Sequence, residues 1–268
     1  MSNPFAARSL EFEAGILALP DWPETAFLIT TGDLAAHDWV GGSGVHVIFE
    51  VGDDREQSLK WFVETFQAIR DLAPPNMITI VGLSDLQEWA EWTTDYPFAR
   101  CRAVRGEAKL APGRFRPAEI REAQEEKHRH ESARVSPQVR TRHVRLADGG
   151  LDDLVYLTNM IWLARDWQDD GVNEPRMPAR LRLFAEHQRI HAWEHDQLLH
   201  AWTFLKQLEA ALYELGIGDQ ILPENPDKLA AVAERIGAEG ANPLLSQFLE
   251  CRETVRSLHS EFSERGFV

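Results

Sequence analysis

The sequence predicts an α+β chain in which a sheet domain is followed by an all-α helical bundle. Three observations carry this. Short apolar runs at Ala26–Thr31, Val45–Val51, Met77–Leu83 and Pro97–Gly106 are interleaved with segments of helical periodicity, the order expected of a small α/β sheet. From Leu154 onward apolar residues recur at helical spacing with no strand-like run between them. Between these regions, from Pro117 to about Arg134, the chain is strongly charged. The division read from these changes is 1–112 for the sheet domain, 113–142 for a charged connecting helix and linker, and 143–268 for the bundle.

The opening stretch, ending at Pro20-Asp21-Trp22-Pro23, reads as either a helix or an edge element. Ala26–Thr31 and Val45–Val51 are rich in Val, Ile, Phe and Thr, which fit a pleated surface, and they form a hairpin-like pair. Gly41-Gly42-Ser43 turns the chain between them, and glycine there lets backbone approach a phosphate closely. Such a turn more often only reverses the chain. Leu59, Phe62, Val63, Phe66 and Ile69 then lie at helical spacing, giving one apolar stripe to set against a sheet. Pro74-Pro75 forbids continuation of that helix. After the third strand, Ser84-Asp85-Leu86-Gln87 has the form of a capping box opening a Trp-rich helix through Trp89 and Trp92.

In the second half, Leu154, Leu157 and Ile161 define one helix, and Leu198 through Leu212 another. Asn225-Pro226-Asp227 supplies an N-cap, a first-position proline and an acid in the first turn, and Gly237 closes that helix. Asn242-Pro243 repeats the device, opening a last helix through Leu245, Phe248, Leu249, Val255 and Phe262. Helices follow one another here without intervening strands, which makes a bundle.

Composition narrows the function. A hydrophobic content of 44% is ordinary for a globular core, and no run of 18 apolar residues is present to span a membrane. Glu11 and Glu13 interrupt the only apolar stretch near the start, which does not read as a signal peptide, so a cytoplasmic location is expected. The formal charge of −15 argues against nucleic acid as a partner, since backbone-phosphate binding needs a basic footprint. Cys101 and Cys251 are far apart and read as small buried hydrophobes.

Gly32–Val51, GDLAAHDWVGGSGVHVIFEV, resembles the nucleotidyltransferase core of the glutamine synthetase adenylyltransferase family, whose run reads roughly G-K-L-G-G-R-E-L-x-x-G-S-D-x-D-L-x-F. Gly32, Leu34, Gly42, Ser43 and Phe49 match it. His143–Leu154, HVRLADGGLDDL, is similar to a second signature, a short strand leading into V-K-x-G-x-G-G-I-R-D-I-E. Asp152 there replaces an arginine. Ala201–Leu205 with Leu208-Glu209 resembles A-Y-x-F-L-x-x-L-E, and Ile221–Pro226 resembles T-L-P-x-D-P. The uridylyltransferases that act on nitrogen-signalling proteins share the Gly-Gly-Leu signature, whereas Leu222-Pro223-Glu224 favours the adenylyltransferase side.

The resemblance implies a nucleotidyltransferase-like mixed sheet domain before the bundle. It also implies where carboxylates should hold the metal ions that neutralise a phosphoryl-transfer transition state. Those positions carry Gly44, His46 and Ile80. Glycine offers no ligand, isoleucine none, and imidazole suits zinc better than magnesium. No catalytic or metal residue is therefore assigned, and a nucleotide-binding remnant is placed at Gly41, Gly42, Ser43, Gly149 and Gly150. Glu50, Asp53 and Asp54 lie too far along to share the same ion and read as turn and edge charges.

His187, His191 and His195 have i, i+4, i+8 spacing. The resemblance breaks the helix there, with His191 at a capping position, so the three read as surface or packing residues. His128, His130 and His143 read as solvated, and Trp162, Trp167, Trp193 and Trp202 as core or interface packing.

Three functional readings follow. The favoured one is a degenerate stand-alone relative that works by binding glutamine synthetase, a nitrogen-signalling protein or another protein, without a cofactor. The alternative is an active adenylyltransferase or deadenylylase on a protein tyrosine, using ATP and Mg. The third is a structural homo-oligomer packed through its Trp-bearing face.

Overall fold

The computed structural model describes residues 6–21, 27–31, 45–50, 55–72, 78–82, 101–105, 135–164 and 176–267, with 122, 125, 126, 128–130 and 133. The Gly41–Gly44 turn, the Ser84–Gln87 box, the helix of Trp89 and Trp92, and Trp167 lie outside them. Two compact units are present, residues 1–123 with 168–176, and residues 124–167 with 177–268.

The first unit opens with helix α1, Ala6–Leu17. Strands β1 (Phe27–Thr31) and β2 (Val45–Glu50) follow, then helix α2 (Arg55–Asp71) and strands β3 (Ile78–Gly82) and β4 (Cys101–Arg105). The strands form a four-stranded sheet in the order β3-β2-β1-β4. β1 runs antiparallel to β2, with Phe27 opposite Glu50 and Thr30 opposite Val47. It is antiparallel to β4 as well, with an irregularity between Leu28 and Ile29. β2 and β3 are parallel, which needs the crossover that α2 supplies.

The stripe buried on α2 differs from the one the apolar residues suggest. Trp61, Thr65 and Ile69 are buried at i, i+4, i+8, whereas Val63 and Phe66 are exposed, Val63 at 73%. Hydrogen bonds satisfy the polar groups on the buried row. The Trp61 indole donates to the Pro20 carbonyl at 2.7 Å, beyond the end of α1, and the Thr65 hydroxyl donates back to the Trp61 carbonyl at 2.8 Å. A threonine that satisfies its hydroxyl within the helix can take a buried position that composition alone assigns to an apolar residue.

The second unit is helical. The described residues between 122 and 133 are helical, and a short α3 spans Pro137–Arg140. Five longer helices follow: α4 (Leu151–Leu163), α5 (Met177–Glu186), α6 (Ala192–Glu214), α7 (Pro226–Ile236) and α8 (Ala241–Glu264). A 3-10 turn, Gly218–Gln220, joins α6 to α7. α6 packs against α4, α5, α7 and α8 and buries Leu198, Trp202, Leu205, Leu208 and Leu212. No helix among the described residues is long and apolar enough to cross a membrane.

The helix ends show why the chain turns where it does. The Asn225 side chain accepts the Lys228 amide at 3.0 Å, Pro226 occupies the first turn, and Gly237 closes α7 at φ 76°. α8 begins before Asn242-Pro243, capped by Gly240, so Pro243 sits in the first turn where a missing N–H leaves no bond unmade. Its buried row is Leu244, Phe248, Cys251, Val255, Leu258 and Phe262. Leu249 is 58% exposed, because only one of the two adjacent apolar rows faces the core.

Residues 187–191 separate α5 from α6, with His191 as the N-cap. The i, i+4, i+8 histidine pattern is thus interrupted. The Glu194 carboxylate accepts the His191 amide at 2.5 Å and is itself only 1% exposed. Arg265, just past α8, reaches the same carboxylate at 2.5 Å and donates to the Arg189 carbonyl at 2.8 Å. Arg265→Ala would leave a buried carboxylate with one donor fewer, at a cost of about 2 kcal/mol. A urea titration of the variant reads this as a lowered midpoint, and an unchanged midpoint would show that the pair carries no net stability.

Candidate functional site

The second sequence signature folds as a set of tight turns rather than a strand. Its one ladder contact is a bridge between His143 and Ile221, where Val144 N–H donates to the Gln220 carbonyl and Leu222 N–H to the Arg142 carbonyl, each at 2.9 Å. His143 is buried, contrary to a solvated reading. Its Nδ1 accepts the amides of Arg145 and Leu146 at 3.2 Å each, so the imidazole is part of the turn.

Gly149 and Gly150 follow, both buried. Gly149 has φ 82°, a region that glycine enters without steric cost. A side chain on it would collide with the Arg252 carbonyl oxygen, and one on Gly150 would meet the carbonyls of Arg145, Val144 and Ala147. The amides at the start of α4 donate within the protein. Gly149 N–H goes to the Asp153 carboxylate at 2.6 Å, Gly150 to Ala147 at 2.6 Å, Leu151 to Val144 at 3.0 Å and Asp152 to Arg145 at 3.2 Å. Packing of backbone on backbone therefore accounts for both glycines.

Three fastenings hold this loop to the bundle. Arg145 donates to Asp152 at 2.9 Å and to Glu209 of α6 at 2.8 Å. Glu209, fully buried, also accepts Lys206 at 2.6 Å and the Gln220 amide at 3.1 Å. Lys206 is 1% exposed, with its ammonium 5.6 Å from the Trp202 ring centroid. Arg252 of α8 donates to the Asp148 carbonyl at 3.0 Å and the Thr141 carbonyl at 2.8 Å, with its guanidinium over Phe248. Burial lowers the Arg252 pKa, and the nearby Asp148 opposes that shift.

Beside the loop, Asp153 faces His128 at 3.4 Å, and the rings of His128, Tyr156 and His259 are stacked. Burial raises the Asp153 pKa, against the lowering effect of the Gly149 amide and His128. Burial lowers the His259 pKa, and Asp153 opposes it.

The residues singled out from sequence fall in separate places. Gly41, Gly42, Ser43 and Gly44 are outside the described residues. His46 lies on β2 in register with Thr79, while Ile80 on β3 pairs with Val47, one row away. Gly149 and Gly150 belong to the second unit, where Asp152 has Arg145 as its counter-charge. Among the described residues, no group of three or more His, Cys, Asp or Glu is placed to hold a metal ion.

Sequence reading gave no role to Arg145, Lys206, Arg252 or His259, named Glu209 only within a motif, and took His128 as solvated, whereas it stacks on Tyr156 and faces Asp153. For Arg145 and Glu209 a signal existed. Arg145 stands at the basic position after the valine of one signature, and Glu209 ends another, so the two motifs meet as an ion pair.

Cys251 lies on α8 beside Arg252, 3% exposed. Burial, assisted by Glu250, pushes its thiol up to about 11, so the thiolate is scarce at neutral pH. A thiol reagent at pH 8 is expected to leave Cys251 unmodified in the folded chain and to label it in urea. Mass spectrometry distinguishes the two, and rapid labelling of the folded chain would contradict the assigned burial.

No curated protein matches this chain. Residues 119–263, more than half of its length, match the family described as GlnD PII-uridylyltransferase, and they include both the Gly149-Gly150 loop and the helices that hold it. A match of that extent over these packed signatures places the chain in the GlnD PII-uridylyltransferase family, and hence among nucleotidyltransferase-related proteins.

Proposed function

We propose that this protein is a catalytically degenerate member of its family, kin to the adenylyltransferases, that acts in the cytoplasm by binding a protein partner. The observation that carries the reading is the residue content of the first signature and of the strand that holds Ile80. Gly44, His46 and Ile80 stand where the resemblance calls for carboxylates. Phosphoryl transfer relies on metal ions to neutralise charge spread over the transferred group, and carboxylates are what seat magnesium. The nucleotidyltransferase-like mixed sheet remains as the proposed scaffold, with Gly41, Gly42 and Ser43 as a remnant able to take a nucleotide weakly.

Leu222-Pro223-Glu224 supports the adenylyltransferase kinship. Leu222 is buried and its amide closes the bridge to Arg142, so this segment also holds the signature loop. Glutamine synthetase is the first partner to test, and a nitrogen-signalling protein of the PII type the second.

The test is incubation of the purified chain with magnesium, each candidate protein and labelled ATP or UTP, alongside a binding measurement by gel filtration. Complex formation without label on the partner is the expected result. Stoichiometric label would overturn the degenerate reading and establish an active transferase, with the labelled protein and nucleotide deciding which kind.

A further inference from the structure

The helices α6, α7 and α8 reverse the chain in the same way, around a glycine in the left-handed region: Gly216 at φ 64°, Gly237 at 76° and Gly266 at 77°. In each, the glycine N–H reaches back three residues and the next N–H reaches back five, as Phe267 does to the Phe262 carbonyl at 2.9 Å. α5 closes with the same pair of bonds, Gln188 to Ala185 at 3.0 Å and Arg189 to Phe184 at 2.7 Å. Its left-handed residue, at φ 56°, is Gln188. A side chain in that conformation crowds the following carbonyl, a cost that glycine does not meet.

The elbow that starts at this strained residue is held from a distance in sequence. Arg265, at the end of α8, donates to the Arg189 carbonyl at 2.8 Å and pairs with the buried Glu194. The other oxygen of Glu194 accepts the His191 amide. One guanidinium therefore fastens both sides of the elbow. It lies 4.8 Å from the Phe262 ring centroid and 5.1 Å from that of Phe267, and those rings meet edge to face at 6.0 Å. The glycine-closed turn of α8 thus places Arg265, and Arg265 holds the glutamine-closed turn of α5.

We propose that Arg265 is the clasp of a strained elbow, and that residues 187–195 open and close as a local unit while the rest of the bundle stays folded. Neither a partner nor a nucleotide is needed for this. Opening relieves the left-handed conformation at Gln188, and the charge-assisted bonds of Arg265 oppose it. It uncovers Ile190 and Glu194, a small part of what the unit buries. Beyond the elbow α6 keeps its packing on α4, α7 and α8, so the opening has no reason to spread.

The experiment is hydrogen–deuterium exchange of the full chain, read by mass spectrometry in peptides covering residues 185–197 and 201–212, at urea concentrations below the unfolding transition. A local opening exposes little surface and is nearly insensitive to urea, whereas global unfolding responds steeply. Exchange at 185–197 should be the faster of the two and nearly independent of urea. Arg265→Gln should speed it about tenfold, the scale of a lost charge-assisted hydrogen bond. Phe267→Ala, which removes one flanking ring and leaves the guanidinium in place, should speed it about threefold. Gln188→Gly should slow it about threefold, because the closed elbow then carries no strain. Gln188 is exposed and Arg265 lies at a helix end, so neither substitution disturbs the core. Residues 185–197 that follow the urea dependence of 201–212, an Arg265→Gln variant without acceleration, or a Gln188→Gly variant that does not slow would each overturn the clasp.

Discussion

Alanine at Gly149 or at Gly150 is expected to unfold the helical unit, with a loss of about 4 kcal/mol or more. At Gly149 two penalties coincide. The backbone has φ 82°, which alanine adopts only under strain, and a new methyl group would run into the backbone of Arg252. At Gly150 the obstacle is crowding, since the carbonyls of Val144 and Ala147 stand 2.7 and 2.8 Å from where a Cβ would sit. Carbonyl oxygens cannot rotate aside as a side chain can. Those carbonyls also accept the Leu151 and Gly150 amides, so moving them breaks the turn. Urea unfolding followed by circular dichroism measures the loss. A variant within about 1 kcal/mol of wild type would mean that the loop yields, and that its glycines serve something other than packing.

The second large effect is expected at Glu209. Truncation to alanine removes the acceptor for Arg145, Lys206 and Gln220 at once. Lys206 is 1% exposed, and removing the carboxylate that its buried ammonium bonds costs about 3–5 kcal/mol. Arg145 suffers less, because Asp152 remains in contact. The double variant Lys206→Met, Glu209→Leu should therefore recover most of what the single one loses, since removing both charges also removes their desolvation. A double-mutant cycle in urea isolates the coupling. If Glu209→Ala and the double variant were equally unstable, the loss would arise from packing rather than from the broken ion pair.

The bundle was largely legible from the chain because its signals are local. Asn225, Pro226 and Gly237 cap α7 through contacts within a few residues, and such chemistry does not wait on tertiary structure. The break before α6 was legible as well, from likeness to a known pattern rather than from periodicity, which runs unbroken through His187, His191 and His195. Rotation of helices was not legible. Val63, Phe66 and Leu249 are apolar and exposed, while Thr65 and Arg252 are polar and buried, with hydrogen bonds to Trp61, Asp148 and Thr141 satisfying the buried polar groups. His128 and His143 illustrate the same limit. Each lies in a charged stretch that looks solvated, yet one stacks on Tyr156 and the other holds a turn through its ring nitrogen.

The Gly149 loop is fastened by partners distant in sequence, with Arg145 and Glu209 separated by 64 residues and Arg252 bonding to carbonyls 104 and 111 residues before it. Bringing such ends together must overcome a chain-closure entropy before any contact rewards it, whereas the helical hairpins nearby close short loops and form sooner. These fastenings therefore belong to the downhill side of the folding barrier. Weakening Glu209 or Arg252 should leave the rate of folding nearly unaltered and quicken the rate of unfolding, so the loop governs how long the native molecule persists more than how fast it is made.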